Sequence, residues 1–444
     1  MLTILGPRGR KPHCDGVSRR SFLKVGALGI GGLTLPQLMQ AEAASGKKSH
    51  KSIIMVYLSG GMAHQDTFDI KPNGPVEVRG EFKAIPTKLP GVQFGELVPK
   101  IAACADKLAI IRSIVGQPDE HSSWMSYTGV PMETAKREKR PHFGSVVART
   151  QGQTDLVMPA FVDLTPTMQH KPYNSPNEAM LGRSAAGVKV DGDEIAVMKK
   201  LLVSADQLAD RKSLLEKMDA VKRAADRSTS IQADTFHDRA FEVLTSNKLV
   251  DALDISKEPL ATRERYGKGS PKHMGDGAPM WNEQLLMARR LVEAGARVVT
   301  LGYGFWDTHG NNFKHMKEHL PTFDQGISAL VEDIYARGMD KDCTVIVWGE
   351  FGRSPKINKD AGRDHWARVN FALMSGGGMK VGQVIGSTDS SAGEVRNDPI
   401  PYPWVLASAY KNLGIDPHAM VYDVANRPSP ILPSSVGVID RLHG

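Results

Sequence analysis

The stretch FWDTHGNNF, residues 305–313, places a carboxylate and an imidazole two positions apart, as Asp307 and His309. It directly follows ARVVTLGYG, an apolar run that is typical of a buried strand. Side chains of these types at the end of a strand can hold a metal ion, transfer protons or cap a loop. A single Asp-x-His pair is most often a loop cap, so its meaning depends on which other polar groups share its edge of the sheet.

Further polar clusters border other apolar runs of the chain. Three directly follow such runs: GGMAHQDTFD after SIIMVYLS, GQPDEHSSW after KLAIIRSIV, and GEFGRSP after TVIVW. A fourth, AGRDHW, comes just before the run VNFALMSG. Parallel strands bring such clusters to one edge of a sheet, where α/β proteins bind ligands. The joint placement indicates a metal-assisted hydrolase, which needs several ligands on rigid strand ends.

The apolar runs and the helical patterns between them predict an α/β fold. We expect strands at about 52–58, 108–114, 297–302, 344–348 and 369–374 in one doubly wound, mostly parallel sheet, and another strand candidate at 157–164. A helix is expected over 321–337, and the charged, helical stretch at about 192–268 is expected to be an insertion.

The N-terminal region predicts export. SRRSFLKVGALGIGG has twin arginines before a weakly apolar run, and Ala41-Glu42-Ala43 offers a small-x-small cleavage site. We expect a twin-arginine signal peptide at residues 1–43 and one domain over 44–444, with no stable membrane span after cleavage. Six basic and two acidic residues lie in this leader, so the formal charge of +7 falls to about +3 in the mature chain. A nucleic-acid-binding surface is therefore not indicated.

Four motifs in this order, GGMAHQDTFDIKP, WDTHGNNF, VWGEFGRSPKIN and GRDHW, resemble the secreted bacterial family called domain of unknown function 1501. The resemblance covers nearly the whole mature chain. That family is in turn similar to the alkaline phosphatase and sulfatase superfamily. This implies a doubly wound sheet, a hydroxyl or formylglycine nucleophile, and one or two metal ions.

Taken position by position, the resemblance implies a set of metal ligands, namely Asp66, Asp307, His309, Glu350 and His365. Phe351 falls where the superfamily has a ligating histidine, so one metal contact is lost. Gln117 falls near the nucleophile position and has no hydroxyl or thiol. Ser122, Ser123 and Thr67 are the nearest hydroxyls, and a metal-activated water is the alternative nucleophile.

The resulting functional hypothesis is an exported, periplasmic or extracellular hydrolase of phosphate or sulfate esters, acting on a small molecule or a glycan. Its divalent metal would be zinc, calcium or manganese. His121 is the candidate general acid or base, and Arg353 is expected to hold an anionic oxygen with its planar fork of donors. The alternative is a non-catalytic member of the superfamily that binds an anionic glycan or a cell-surface partner.

Overall fold

The computed structural model describes residues 51–154, 157–190 and 247–443. The expected signal peptide at 1–43 lies outside the described residues, and so does the expected insertion as far as residue 246. Among the described residues, no helix combines the length and the apolar character needed to cross a membrane.

The strands occur where the apolar runs predict them, with several short additions. In chain order they are β1 (Ser52–Ser59), β2 (Ala84–Pro86), β3 (Gln93–Gly95), β4 (Leu108–Val115), β5 (Phe161–Asp163), β6 (Val188–Lys189), β7 (Val298–Phe305), β8 (Cys343–Gly349), β9 (Gly352–Arg353), β10 (His365–Trp366), β11 (Asn370–Gly376), β12 (Gln383–Ile385), β13 (Ser387–Thr388), β14 (Val395–Asn397), β15 (Ile400–Pro401), β16 (Met420–Tyr422) and β17 (Pro428–Pro430).

The main sheet has the order β12-β4-β11-β8-β1-β7-β5-β6, and β15 also pairs with β4. β1 is central and pairs in parallel with β7 on one side and β8 on the other. β11 lies between β8 and β4 and is antiparallel to both. The prediction of a mostly parallel sheet is confirmed, but the last predicted strand runs in the opposite direction to its neighbours.

The α-helices of the described residues are α1 (Pro99–Ala103), α2 (Trp124–Thr128), α3 (Met132–Glu138), α4 (Phe143–Gln151), α5 (Asn247–Leu253), α6 (Leu260–Tyr266), α7 (Asn282–Glu293), α8 (Asn312–Ala336) and α9 (Tyr402–Asn412). α8 begins nine residues before the predicted start at Pro321, which lies inside the helix. The earlier turns are helical because Phe313, Met316 and Leu320 recur at helical spacing and are buried.

Helices cover both faces of the sheet, as a doubly wound fold requires. Alternate side chains of β1 enter two separate core clusters: Ile54, Val56 and Leu58 pack with residues of α7 and α8, whereas Ile53, Met55 and Tyr57 pack with residues of α4 and α9. Burying one such aliphatic side chain stabilises the fold by about 1.5–3 kcal/mol. The central strands are therefore rigid supports for the loops at their ends.

Candidate metal centre

The direction of the strands explains why four connections meet at one edge. β1, β4, β7 and β8 all run the same way, so the loops that follow them lie at their shared carboxyl edge. These loops carry His121, Asp307 and Glu350. His365, in β10, comes before β11 in the chain, yet it reaches the same edge because β11 is antiparallel to β4 and β8. A parallel β11 would place that connection at the opposite edge.

Four side chains converge there on a common centre: His121, Asp307, His309 and His365, each with one ligand atom within 4.8 Å of the others. Nε2 of His121 lies 3.2 Å from Oδ2 of Asp307. Nε2 of His309 lies 3.0 Å and Nε2 of His365 lies 3.4 Å from Oδ1 of the same carboxylate. The two Nε2 atoms of His309 and His365 are only 2.9 Å apart.

The other ring nitrogen of each histidine faces a second carboxylate. Nδ1 of His121 lies 3.2 Å from Oε1 of Glu350. Nδ1 of His309 lies 3.0 Å from Oδ1 of Asp364, and Nδ1 of His365 lies 3.0 Å from Oδ1 of Asp119. The hydroxyl of Tyr173 also lies 2.8 Å from Nδ1 of His121.

Glu350 and Arg353, expected as a metal ligand and an anion holder, form the base of the centre. The backbone N–H of Gly60 donates to Oε1 of Glu350 at 2.7 Å. Gly60 has a φ of +97°, and a Cβ atom there would lie 2.4 Å from the backbone nitrogen of Asp307, so only glycine fits. The imidazole of His121 lies between the carboxylates of Glu350 and Asp307, so Glu350 is outside the group of four.

Arg353 is fully buried and directs its donors to protein acceptors. Nη2 lies 2.5 Å from Oδ1 of Asp307 and also donates to the carbonyl of Gly60. Nε donates to the carbonyl of Gly61 at 2.9 Å, and Nη1 donates to the carbonyl of Arg363 at 3.0 Å. The guanidinium therefore fixes the carboxylate of Asp307 and does not face the open side of the centre.

The charges in the cluster shift two pKa values in opposite directions. Burial lowers the pKa of His121, but hydrogen bonds with the carboxylates of Asp307 and Glu350 outweigh burial and raise it to about 9. Burial raises the pKa of Asp307, but hydrogen bonds from His121 and His365 and the charge of Arg353 lower it far below its ordinary value. Asp307 is therefore a carboxylate at any physiological pH.

The donor set and its spacing fit a divalent transition ion. Donor atoms about 2.0–2.1 Å from a tetrahedrally coordinated zinc ion lie about 3.3 Å from one another. The four contacts given above run from 2.9 to 3.4 Å, and all four ligand atoms lie within 4.8 Å of one another. With Nδ1 of His309 and of His365 donating outward, both Nε2 atoms and one carboxylate oxygen face each other, an arrangement that a metal ion or protonation of an imidazole stabilises.

Asp66, the remaining expected ligand, lies outside this group. Its carboxylate is 2% exposed and pairs with Arg363 through two contacts, Nε to Oδ2 at 2.7 Å and Nη2 to Oδ1 at 2.8 Å. Nδ2 of Asn312 donates to Oδ2 at 2.8 Å. Three donors hold the two carboxylate oxygens, which makes Asp66 a buried structural anchor between the first connection and the loop that carries His365.

The candidate nucleophiles are engaged in local backbone contacts. Thr67 donates to the carbonyl of Ala63 at 2.9 Å, Ser122 accepts from the N–H of Trp124 at 3.2 Å, and Ser123 donates to the carbonyl of Asn174 at 3.0 Å. Within the residues that the structure describes, none of these three hydroxyls hydrogen-bonds with a side chain of the four-residue group.

The two positions that depart from the superfamily pattern have different environments. Phe351 is buried, and its ring centroid lies 5.1 Å from that of His121 and 4.6 Å from that of His365. It packs as an apolar wall behind two imidazoles. The side chain of Gln117 is buried, and neither of its amide atoms has a hydrogen-bond partner.

Sequence reasoning missed three contributors to the centre: Asp119, Asp364 and Tyr173. Asp119 and Asp364 stand in the polar clusters beside His121 and His365, so their position was a usable signal. However, each pairs with a histidine of another loop. Tyr173, in a short 3-10 turn at Lys171–Tyr173, had no such signal.

Residues 50–442 match a family described as Protein of unknown function (DUF1501). The chain belongs to the DUF1501 family. The resemblance carried by the four motifs is thereby confirmed, and in this DUF1501 protein those motifs supply Asp307, His309 and His365 of the candidate metal centre. No functionally curated protein matches its sequence.

Several solved structures overlap partly with this DUF1501 protein. One is a sulfatase from Pseudoalteromonas sp., with 11% identity, a TM-score of 0.34, and coverage of 90% of this chain and 72% of the other. Another is the alkaline phosphatase of the Antarctic bacterium TAB5, with 10% identity, a TM-score of 0.34, and coverage of 83% and 99%. A third is a lipoteichoic acid synthase from Listeria monocytogenes, with 10% identity, a TM-score of 0.35, and coverage of 84% and 75%. Because all three TM-scores are below 0.5, function has to be argued from the site.

Proposed function

We propose that this protein is a metal-dependent hydrolase of phosphate or sulfate esters, with one divalent ion held by His121, Asp307, His309 and His365. The observation that carries the proposal is the 2.9 Å approach of two imidazole Nε2 atoms beside one carboxylate oxygen. A divalent ion between these three atoms would replace the repulsion of their lone pairs by coordination. The set replaces the five ligands implied by the family resemblance: His121 joins it, whereas Asp66 and Glu350 leave it.

The proposed ion is zinc, with manganese second. Three imidazoles and one carboxylate are borderline donors that suit transition ions. Calcium takes six to eight oxygen ligands, and this group offers at most two, both from Asp307. The calcium option is therefore set aside.

When bound, such an ion polarises an ester oxygen and lowers the pKa of a coordinated water. The protein's own residues fix the direction of approach. The side chain of His309 is 48% exposed, whereas that of Arg353 is fully buried, so substrate approaches from the His309 side. Because Thr67, Ser122 and Ser123 are held by backbone contacts, water is the proposed attacking group. Its oxygen joins phosphorus or sulfur as the bond to the leaving oxygen breaks, and a proton from the water passes to that oxygen to give the alcohol.

The test uses the protein purified without chelator and a panel of phosphate and sulfate esters in ¹⁸O-labelled water. We expect one equivalent of metal, hydrolysis with label in the released phosphate or sulfate, and at least a hundredfold loss of turnover in Asp307→Ala and His309→Ala. Thr67→Ala, Ser122→Ala and Ser123→Ala are expected to retain turnover. A trapped phospho- or sulfo-enzyme that one of the three hydroxyl substitutions abolishes would overturn the water route. Absence of metal from the wild type would overturn the centre.

A second candidate is a non-catalytic protein that uses the same metal to bind an anionic glycan or a cell-surface partner. The observation that favours it is the number of donors, because four protein ligands complete a tetrahedral zinc site and catalytic sites usually keep one position open. The cobalt-substituted protein distinguishes the two. A change in its visible absorption on adding phosphate or sulfate supports an open position, and an unchanged spectrum favours the second candidate.

The cellular setting is part of the proposal. The twin arginines at 19 and 20 and the small residues at 41–43 support export by the twin-arginine machinery to the periplasm or the exterior. A glycan ester is a substrate that such a location offers. The test is the N-terminal sequence and the location of the mature protein, with Arg19→Lys, Arg20→Lys as the variant expected to stay inside the cell.

A further inference from the structure

The three histidines of the proposed centre use their ring nitrogens in the same way. In every ring Nε2 faces Asp307 and Nδ1 faces a different carboxylate. The outer contacts measure 3.2, 3.0 and 3.0 Å. The histidines come from separate connections of the sheet, so this repetition does not follow from a single local motif.

The repeated contact selects one tautomer. A neutral imidazole carries one N–H, and a carboxylate can only accept a hydrogen bond. With the proposed ion on the Nε2 side, the single proton of the neutral ring lies on Nδ1, where the outer carboxylate accepts its hydrogen bond. The hydroxyl oxygen of Tyr173, 2.8 Å from Nδ1 of His121, accepts from the same N–H in that state.

We propose that Glu350, Asp364 and Asp119 are positioning residues that hold His121, His309 and His365 in the Nδ1–H tautomer and fix their rings for metal binding. The inference rests on the proposed metal centre. It gives Glu350 a different role from the direct ligand that the family resemblance implies. Outer carboxylates of this kind typically change metal affinity by about 10- to 100-fold.

The three carboxylates differ in exposure, which sets the order of their effects. The side chain of Glu350 is 3% exposed and is fixed by the N–H of Gly60, whereas those of Asp119 and Asp364 are 61% and 58% exposed. Solvent weakens hydrogen bonds and charge interactions at exposed positions. Glu350 is therefore the strongest of the three.

The test is the zinc affinity of Glu350→Gln, Asp119→Asn and Asp364→Asn, measured by competition with a chromophoric chelator. Each change keeps the size of the side chain and removes its charge. The matched control is Asp360→Asn, an exposed acid of the same loop as Asp364. We expect roughly 10- to 100-fold weaker binding for Glu350→Gln, smaller losses for the two exposed positions, and no change in the control.

A second measurement separates positioning from mere structural support. Ring ¹⁵N shifts of the zinc-loaded protein, labelled at histidine, report which nitrogen carries the proton. We expect His121, His309 and His365 to carry the proton on Nδ1 in the wild type, and a changed Nδ1 signal of one of these rings in each variant. Asp119 and Asp364 are exposed, so their variants keep the test available if Glu350→Gln fails to fold.

The outcomes separate the two proposals. If the wild type binds no zinc, the metal centre fails, and this inference fails with it. If the wild type binds zinc but all three variants match Asp360→Asn in affinity and ring shifts, the metal centre stands and the positioning role is overturned. If X-ray absorption at the zinc edge loses an oxygen donor in Glu350→Gln, Glu350 is a ligand and its positioning role is overturned.

Discussion

Replacing Asp66 by asparagine separates a metal ligand from a structural anchor. The family resemblance implies that Asp66 binds metal, whereas the structure buries its carboxylate against the guanidinium of Arg363. The change keeps the size of the side chain and its bond with Asn312, but leaves Arg363 as a buried, uncompensated cation. We therefore expect Asp66→Asn to lower stability and to leave metal binding nearly unchanged.

The magnitude follows from the geometry of the pair. Both side chains are at most 2% exposed, and two direct contacts of 2.7 and 2.8 Å join them. Removing one partner of a buried pair costs about 3–5 kcal/mol, because the remaining charge stays desolvated. With a urea dependence of about 3 kcal/mol per molar, the unfolding midpoint should fall by roughly 1–1.7 M.

The assay is urea unfolding followed by tryptophan fluorescence, combined with zinc affinity measured well below the unfolding transition. Asp360→Asn serves as the exposed control, with an expected midpoint near that of the wild type. An affinity within about threefold of the wild type is expected for Asp66→Asn. A loss of a hundredfold in affinity at unchanged stability would refute the anchor and restore Asp66 as a ligand.

Three further outcomes are expected. Zinc binding at pH 7 should release about one proton, because the pKa of His121 is raised to about 9 and its Nε2 must lose a proton to bind the ion. Calorimetry in buffers of different ionisation enthalpy measures the number of protons released. The zinc affinity should rise with pH up to about 9. Burial lowers the pKa of His142 to about 3, so its neutral ring contributes its full stabilisation above about pH 6.5. Up to about 5 kcal/mol of the free energy of unfolding is lost as the pH falls toward 3, because the unfolded chain is protonated first. His142→Asn keeps an N-cap acceptor for α4 and should flatten this acid limb in urea titrations. Arg353→Lys should weaken zinc binding about tenfold in chelator competition, because one ammonium group cannot hold Asp307 and also donate to the carbonyls that the guanidinium contacts. An unchanged zinc affinity would show that Arg353 does not support the centre.

The central strands could be predicted from sequence because their signal is local. A strand covered on both faces is a continuous apolar run, and the short length and β-branched residues of SIIMVYLS and TVIVWG favour strands over helices. The direction of β11 could not be predicted in this way, because VNFALMSG has the same composition whether it runs parallel or antiparallel. That direction decides whether His365 reaches the centre.

The candidate site was predictable as a region and not as a set of contacts. Asp66 and Asp307 both follow a buried strand, so the local pattern treats them alike. Their roles differ because Arg363 contacts Asp66 and Arg353 contacts Asp307, and both arginines come from the connection between β8 and β11, far along the chain from Asp66. Similarly, Asp364 stands beside His365 in the chain but pairs with His309. Such pairings depend on tertiary geometry that residue spacing does not encode.

The inner donors extend from residue 121 to residue 365 and come from three connections of the sheet. The centre can therefore form only after β4, β7 and β11 have taken their places, so an ion cannot nucleate folding of this chain. An ion bound there would instead tie these connections together in the finished fold. It would act late, by slowing unfolding, in the manner of a reversible cross-link. The lifetime of the native protein, more than the path by which it forms, would then depend on the supply of metal.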